Sequence, residues 1–327
     1  MTGVRASVSV ALCTYNGARY IEKQLASILA QTVPAGEIVV SDDDSTDDTV
    51  SLVDELAASA PEPVAFTILR NAPALGVVRN FEGAIRATSG DVIALSDQDD
   101  VWHPDKLETV LGVLERAPEV ALVHTDARLV DAAGDPLGGT LFEYLEVTAD
   151  VLDEEQSAHG FETLLRRNLA TGATVVFRRS LLERALPFPA EWVHDEWLAI
   201  IAAATARVGV AQRPTVDYRQ HGSNEIGVTA PTLRHKIRRV LDADGARNRL
   251  LAAKFGVLAE RLRELDVPPS VIDLADRKAA FERQRAELPA GRLRRILPVL
   301  RVARAGLYRR FASQGAMDVV RDILRRP

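Results

Sequence analysis

Apolar residues in the first 125 positions fall into short continuous runs that alternate with stretches of helical spacing. Residues 8–12 read as a strand, and 18–31 carry Tyr20, Ile21, Leu25, Ile28 and Leu29 at three-to-four-residue intervals, the period of a helix. The alternation continues with strands at 37–41, 64–69 and 91–95 and helices at 49–60 and 80–88. Pro104 opens a further helix to about Arg116, and 120–125 is another strand. Such βαβα order predicts an α/β fold with a largely parallel sheet and helices on both faces. Residues 126–139 read as a hairpin turning at 132–135, and 140–160 as a polar, acidic loop or short helix. A strand at 174–177 leads into a helix at 178–186 that Pro187-Phe188-Pro189 breaks. An amphipathic helix at 195–207 and short closing strands at 208–212 and 215–219 follow. Beyond Pro231 the pattern is helical throughout: 232–242, 245–265, 269–288 and 293–311.

Length and charge divide the chain the same way. The 327 residues divide into a domain at 1–230 and a basic helical extension at 231–327. The overall net charge of −6 hides a split, since 231–327 hold 23 Lys and Arg against 11 Asp and Glu. The extension is thus +12 and the first domain −18, an asymmetry suggesting a tail that meets an anionic surface. Cys13 is the only cysteine, so no internal disulfide forms and a reducing compartment fits. No run reaches the roughly 18–20 apolar residues of a membrane helix. The first residues do not read as a signal peptide, because the apolar run at 8–12 is short and Thr14-Tyr15-Asn16 follows it.

The chemistry concentrates in IALSDQDDVW, residues 93–102. A buried strand there runs into Asp97, Asp99 and Asp100 within four positions. Adjacent carboxylates repel, and hard oxygen donors suit a divalent cation at the carboxyl end of a strand, where open α/β sheets bind ligands. The plainer alternative is a solvated turn with a helix cap at Asp100. A second acidic turn, Asp42-Asp43-Asp44, ends strand two. A carboxylate there can accept a hydrogen bond from the imide N–H of a base.

Four segments in order are similar to an inverting family 2 glycosyltransferase of GT-A fold: VSVALCTYNG at 8–17, VVSDDDSTDDT at 39–49, ALSDQDDVWHPDKL at 94–107, and VHDEWLA with YRQHGSN between 193 and 224. The likeness is greatest to a rhamnosyltransferase-like subgroup and covers about residues 6–230. It implies a nucleoside-diphosphate sugar donor, dTDP- or UDP-linked, with dTDP-rhamnose the leading sugar nucleotide. The acceptor it implies is a hydroxyl of a cell-surface glycan or lipid-linked intermediate.

The same resemblance assigns roles. Thr14 and Tyr15 line the nucleotide, Tyr15 as a face for the base, with Asp43 reading the base and Asp42 beside it. Asn80 and Arg79 lie at a nucleotide-contacting position. Asp97 and Asp99 form the DxD motif, Asp99 on Mg2+ or Mn2+ and Asp97 on the metal or ribose, with Asp100 as an outer residue and Trp102 as pocket lining or core. Thr171 and Gly172 face the sugars. Asp195 is the catalytic base, with Glu196 as the alternative. His221 completes the metal shell, Arg219 neutralises the leaving diphosphate, and Ser223 and Asn224 order the loop. One departure is Asp44, where the family usually carries Gly or Asn.

Basic helices rich in Arg292, Arg294, Arg295, Arg301, Arg304, Arg309 and Arg310 are interleaved with leucines. An anionic membrane surface, a dimer face and packing on the catalytic domain all remain open for them. Nucleic acid is not an expected partner. The location implied is cytoplasmic, including a peripheral position on the inner face of the membrane. Two competing classes are a sugar nucleotidyltransferase and a non-catalytic nucleotide-sugar-binding protein. The first usually carries a Gly-rich basic phosphate loop where this chain has CTYNGARY, and intact Asp99, Asp195 and His221 argue against the second. A dehydrogenase is excluded by the lack of GxGxxG after the first strand.

Overall fold

The protein is described by a computed structural model covering residues 6–221 and 245–325. Of these, 6–158 and 169–221 form one unit, and 159–168 with 245–325 form another. The expected helix at 232–242, and Ser223 and Asn224, lie outside the described residues.

In the first unit β1 (Val8–Thr14) leads through α1 (Ile21–Leu29) to β2 (Glu37–Asp43), α2 (Thr49–Ser59), β3 (Ala65–Asn71), α3 (Val77–Ala87) and β4 (Val92–Asp97). A two-residue β5 (Val101–Trp102), α4 (Lys106–Arg116), β6 (Val120–Val130) and β7 (Pro136–Thr140) follow. Three short helices come next: α5 (Leu141–Tyr144), α6 (Ala149–Gln156) and α7 (Gly160–Arg166), the last belonging to the second unit. The chain then forms β8 (Val176–Arg178), α8 (Leu182–Ala185), α9 (His194–Thr205) and β9 (Arg207–Arg219).

The sheet runs β3-β2-β1-β4-β8-β6-β9-β5, with β7 added to β6. Its first four strands are parallel, and the other half is mixed: β8 is antiparallel to β4 and β6, whereas β6 and β9 are parallel. Every residue of β1 is buried, which is why the strand reads as a continuous apolar run. Helix α1 turns Ile21, Leu25 and Ile28 into the same core. Register carries function here. Thr14 pairs with Asp42, Cys13 with Asp97 and Asp43 with Asn71, so the polar ends of four strands lie side by side.

Three expectations change. The strands at 208–212 and 215–219 are one 13-residue strand whose register slips against β6 between Thr125 and Arg128. The hairpin strand at 128–131 is the end of the 11-residue β6 rather than a separate strand. Helix α9 stops at Thr205 and is buried on nearly every side, so it is a core helix rather than an amphipathic one.

The second unit adds α10 (Ala246–Glu264), α11 (Pro269–Ala286), α12 (Arg292–Arg304), α13 (Leu307–Phe311) and α14 (Ala316–Leu324). The single helix expected at 293–311 breaks at Gly306, whose φ of 75° is left-handed, and α14 was not expected at all. Its core joins Phe281, Val299, Tyr308 and Phe311 to a buried ionic cluster. Arg285 lies 2.9 Å from Glu282 and 2.6 Å from Asp322, and Tyr308 donates to Asp322 at 2.6 Å. Arg295, grouped by sequence with the surface arginines, is buried, and its guanidinium donates to the carbonyls of Pro289, Ala290 and Arg325.

Replacing Arg285 with Met takes a cation from three buried carboxylates, of which Glu282 keeps Lys278 and Asp318 keeps Arg321 while Asp322 loses its ion pair, and is expected to cost about 3–5 kcal/mol in urea unfolding. Burial pushes the Asp318 carboxyl up, but the charge of Arg285, the Gln314 amide and Arg321 outweigh it and hold it below the ordinary carboxylate value. Its stabilisation is therefore present above the ordinary carboxylate range and lost as pH falls through the depressed value. Unfolding midpoints followed from neutral to acid pH should fall more for the native chain than for Asp318→Asn.

Candidate active site at the carboxyl ends of the sheet

The loop after β1 and the end of β2 are fastened together by Asp42. Its carboxylate accepts from the hydroxyls of Thr14 (2.7 Å) and Ser45 (2.6 Å) and from the Ser45 amide (2.9 Å). Asn16 accepts in turn from the Thr46 amide. Asp44 has φ 69°, a left-handed conformation that Gly, Asn and Asp tolerate best, and its side chain is exposed. The departure from the family pattern is thus conformationally equivalent, and its added charge faces water.

Asp43 is buried, and its two oxygens accept from the amides of Leu75 (2.7 Å) and Gly76 (2.8 Å). Oδ1 also accepts from the Asn71 side chain at 3.4 Å, and Oδ2 keeps a second acceptor direction. Asn80, also buried, donates to the Ser41 carbonyl and accepts from Asn71, so it braces this edge. Arg79 pairs with Glu82 at 2.7 Å. The Tyr15 side chain is 57% exposed, free to offer a flat face.

The acidic turn after β4 is tied to the β1 loop by a residue that the sequence reading passed over. The Gln98 side chain accepts from the Tyr15 amide (2.8 Å) and donates to the Tyr15 carbonyl (2.9 Å). A Cβ at position 17 would collide with that carboxamide, which explains Gly17. The only hint in the sequence was a hydrogen-bonding side chain between two aspartates.

Asp99 meets His221 across 122 positions of sequence, with Oδ2 and Nε2 2.8 Å apart. The His221 ring stacks on Tyr20 at 5.0 Å and 19°, and the Arg219 guanidinium lies 4.9 Å from the same ring. Arg219 is buried. It donates to the carbonyls of Asp99 (2.6 Å), Asp131 (3.1 Å) and Ala132 (3.3 Å), and its amide donates to Asp100. Its charge therefore sits under the acidic turn with the guanidinium committed to backbone.

Asp100 caps no helix, since α4 starts at Lys106. It is buried, one oxygen lacks a partner, and burial together with the charges of Asp99 and Asp97 pushes its carboxyl well up. Lys106 is fully buried, donates to the Ala173 carbonyl at 2.6 Å and sits 3.8 Å over Trp102. Burial brings its ammonium down to about 7, with Asp100 and Asp97 pulling the other way. Trp102 is core.

On the other side, Thr171 and Gly172 form the turn before β8, and the Gly172 amide donates to Asp195 Oδ2 at 2.8 Å. The Glu196 amide donates to the other oxygen at 2.6 Å. His194 stacks on Phe81 at 3.9 Å, and burial holds its imidazole down to about 3, hence neutral. A Cβ at Gly172 would come 3.2 Å from His194 and 3.6 Å from Asp195. Tyr218, also missed by sequence, joins the two sides. Burial and then the charges of Asp100, Asp97, Asp99 and Asp195 push its hydroxyl far up.

As for a cation, no three His, Cys, Asp or Glu side chains converge in metal-holding geometry among the described residues. Asp99 with His221 still fits as two donors of a shell. Two donors on one octahedral ion at ~2.1 Å each stand about 3 Å apart.

An α/β sheet with acidic turns at neighbouring strand ends is an arrangement suited to binding a nucleotide, and the likeness to solved glycosyltransferase structures shows the fold to be of GT-A type. The chain belongs to glycosyl transferase family 2, whose profile matches residues 9–184. It is similar to an uncharacterized glycosyltransferase of Nostoc sp., 29% identical over 66% of this chain and 66% of that one, so the match spans just under two thirds of that relative. It is 28% identical to the dTDP-rhamnosyl transferase RfbG of Shigella flexneri over 66% of this chain and 73% of that one. In fold it resembles the mannosyltransferase PcManGT of Pyrobaculum calidifontis, solved with GDP-Man and Mn2+. There the TM-score is 0.57 at 21% identity, covering 98% of this chain and 86% of that one. Family membership sets aside the nucleotidyltransferase and non-catalytic alternatives. No described helix is long and apolar enough to cross a membrane.

Gly17→Ala is expected to cost about 1–3 kcal/mol by overpacking. The cost should largely vanish in a Gln98→Ala background, because the colliding group is gone. Equal costs in both backgrounds, measured by urea unfolding, would count against the Gln98 tether.

Proposed function

We propose that the chain is a metal-dependent, inverting transferase that moves a sugar from a nucleoside-diphosphate donor to a hydroxyl of a cell-surface glycan or lipid-linked acceptor at the inner face of the membrane. The observation that carries this reading is the Asp99–His221 pair at 2.8 Å, together with an Asp195 carboxylate held by the Gly172 and Glu196 amides. A dTDP-linked donor, with rhamnose as the sugar, is supported by the likeness to RfbG; PcManGT, with its bound Mn2+, supports a divalent cation.

Asp99 and His221 would hold Mg2+ or Mn2+, with Asp97 on the cation or the ribose. The bound cation supplies charge neutralisation for the departing diphosphate. Tyr15 carries the base on its face. Asp43 accepts the imide N–H through its remaining lone pairs, with Thr14, Asp42 and Asn80 holding that loop. Asp195 takes the proton of the acceptor hydroxyl as it attacks opposite the leaving group. The Gly172 and Glu196 amides aim its carboxylate, and Thr171 and Gly172 let the sugars approach closely. Arg219 lowers the repulsion felt by the diphosphate from beneath the turn.

A thermal-shift panel of nucleotide sugars with and without Mn2+ tests donor and metal together: one donor is expected to raise the melting temperature in a metal-dependent way. Asp99→Asn is expected to abolish transfer and the metal-dependent shift. Full activity in that variant, or in chelator, contradicts the metal role. Asp195→Asn is expected to lower turnover about 10²–10⁴-fold while donor binding survives; normal turnover would move the base to Glu196 or elsewhere.

A further inference from the structure

Helices α12 and α14 pack against each other, yet each leaves apolar side chains uncovered. Leu293 is 84% and Leu297 75% exposed on α12, and Met317 and Val320 are 41% and 48% exposed on α14. At about 100° per residue, Leu293, Leu297, Arg301 and Arg304 fall on one face of α12. Exposed arginines at 292, 294, 301, 304 and 309 surround these residues, and none has an ion-pair partner among the described residues. Across 288–325 the only carboxylate side chains are Asp318 and Asp322, and both are fully buried against Arg285 and Arg321. The outward surface of this stretch is therefore apolar and cationic without any compensating acid.

We infer that this face of α12 and α14 is a docking surface for an anionic phospholipid bilayer, with the leucines entering the acyl boundary and the arginines meeting lipid phosphates. Charge chooses this occupant. A second copy docking through the same patch would set arginine against arginine across a two-fold axis. The inference rests on the lipid-linked-acceptor reading for its purpose and on the helical unit alone for its geometry.

Co-sedimentation of the full chain with phosphatidylcholine vesicles, with and without one third phosphatidylglycerol, tests it. Binding is expected only to the anionic vesicles and should weaken with salt. Arg301→Gln with Arg304→Gln should lower the partition coefficient roughly 25-fold, about fivefold per arginine. Leu293→Gln with Leu297→Gln should abolish the part that survives high salt. All four positions are exposed, so melting temperatures should be unchanged, and transfer to a soluble acceptor should persist. Absent binding, equal binding to neutral vesicles, or binding indifferent to both double variants overturns the inference. So does a concentration-dependent dimer that the leucine variant dissolves. Failure here with transfer intact leaves the transferase reading standing, and loss of transfer with vesicle binding intact does the reverse.

Discussion

Repulsion between carboxylates gathered at the end of one sheet is the constraint the site is built around. The β1–β2 and β1–β4 registers bring Asp42, Asp43 and Asp97 to one edge, and Asp99 and Asp100 follow within three residues. Most of the donors facing them are neutral: hydroxyls and an amide on Asp42, amides on Asp43 and on Asp195. Such donors satisfy hydrogen bonds without cancelling charge. The cations closest at hand, Arg219 and Lys106, spend hydrogen bonds on backbone carbonyls. The carboxylate charges are thus left largely uncancelled where Asp99 meets His221, an environment that suits a cation.

The half of the fold built from parallel strands was legible because buried strands are written as apolar runs and their acidic ends as abrupt changes. The acidic turn after β4 stood out because clustered carboxylates have no packing value, whereas Asp195 was singled out only through the family resemblance. Gln98, Tyr20, Tyr218 and Lys106 could not, because their roles exist only after the chain folds. Gln98 reaches back 83 positions to Tyr15, and Tyr20 is a shelf for a ring 201 positions on. The strand breaks misread around Gln212–Thr215 come from a register slip, which depends on the partner strand and not on local composition. Arg295 was misread for a related reason. Periodicity marks an arginine as solvent-facing, whereas carbonyls past the ends of the helices that finish at Ala286 and Leu324 draw this one inside.

In the helical unit the charges are sorted by depth. Acids are consumed inside, where Arg285 links Glu282, Asp318 and Asp322, and spare arginines remain outside. The +12 of residues 231–327 therefore understates how positive the described outer surface of α12 and α14 is. The same arrangement accounts for a core that is only partly apolar yet closes around Phe281 and Phe311.

Lys106 has a consequence of a different kind. Its ammonium is sealed from water and joins the helix behind the acidic turn to the carbonyl of Ala173. The floor under the acidic turn and the wall beside Gly172 thus share a single internal strut, and a shorter or bulkier side chain at position 106 would unsettle both at once.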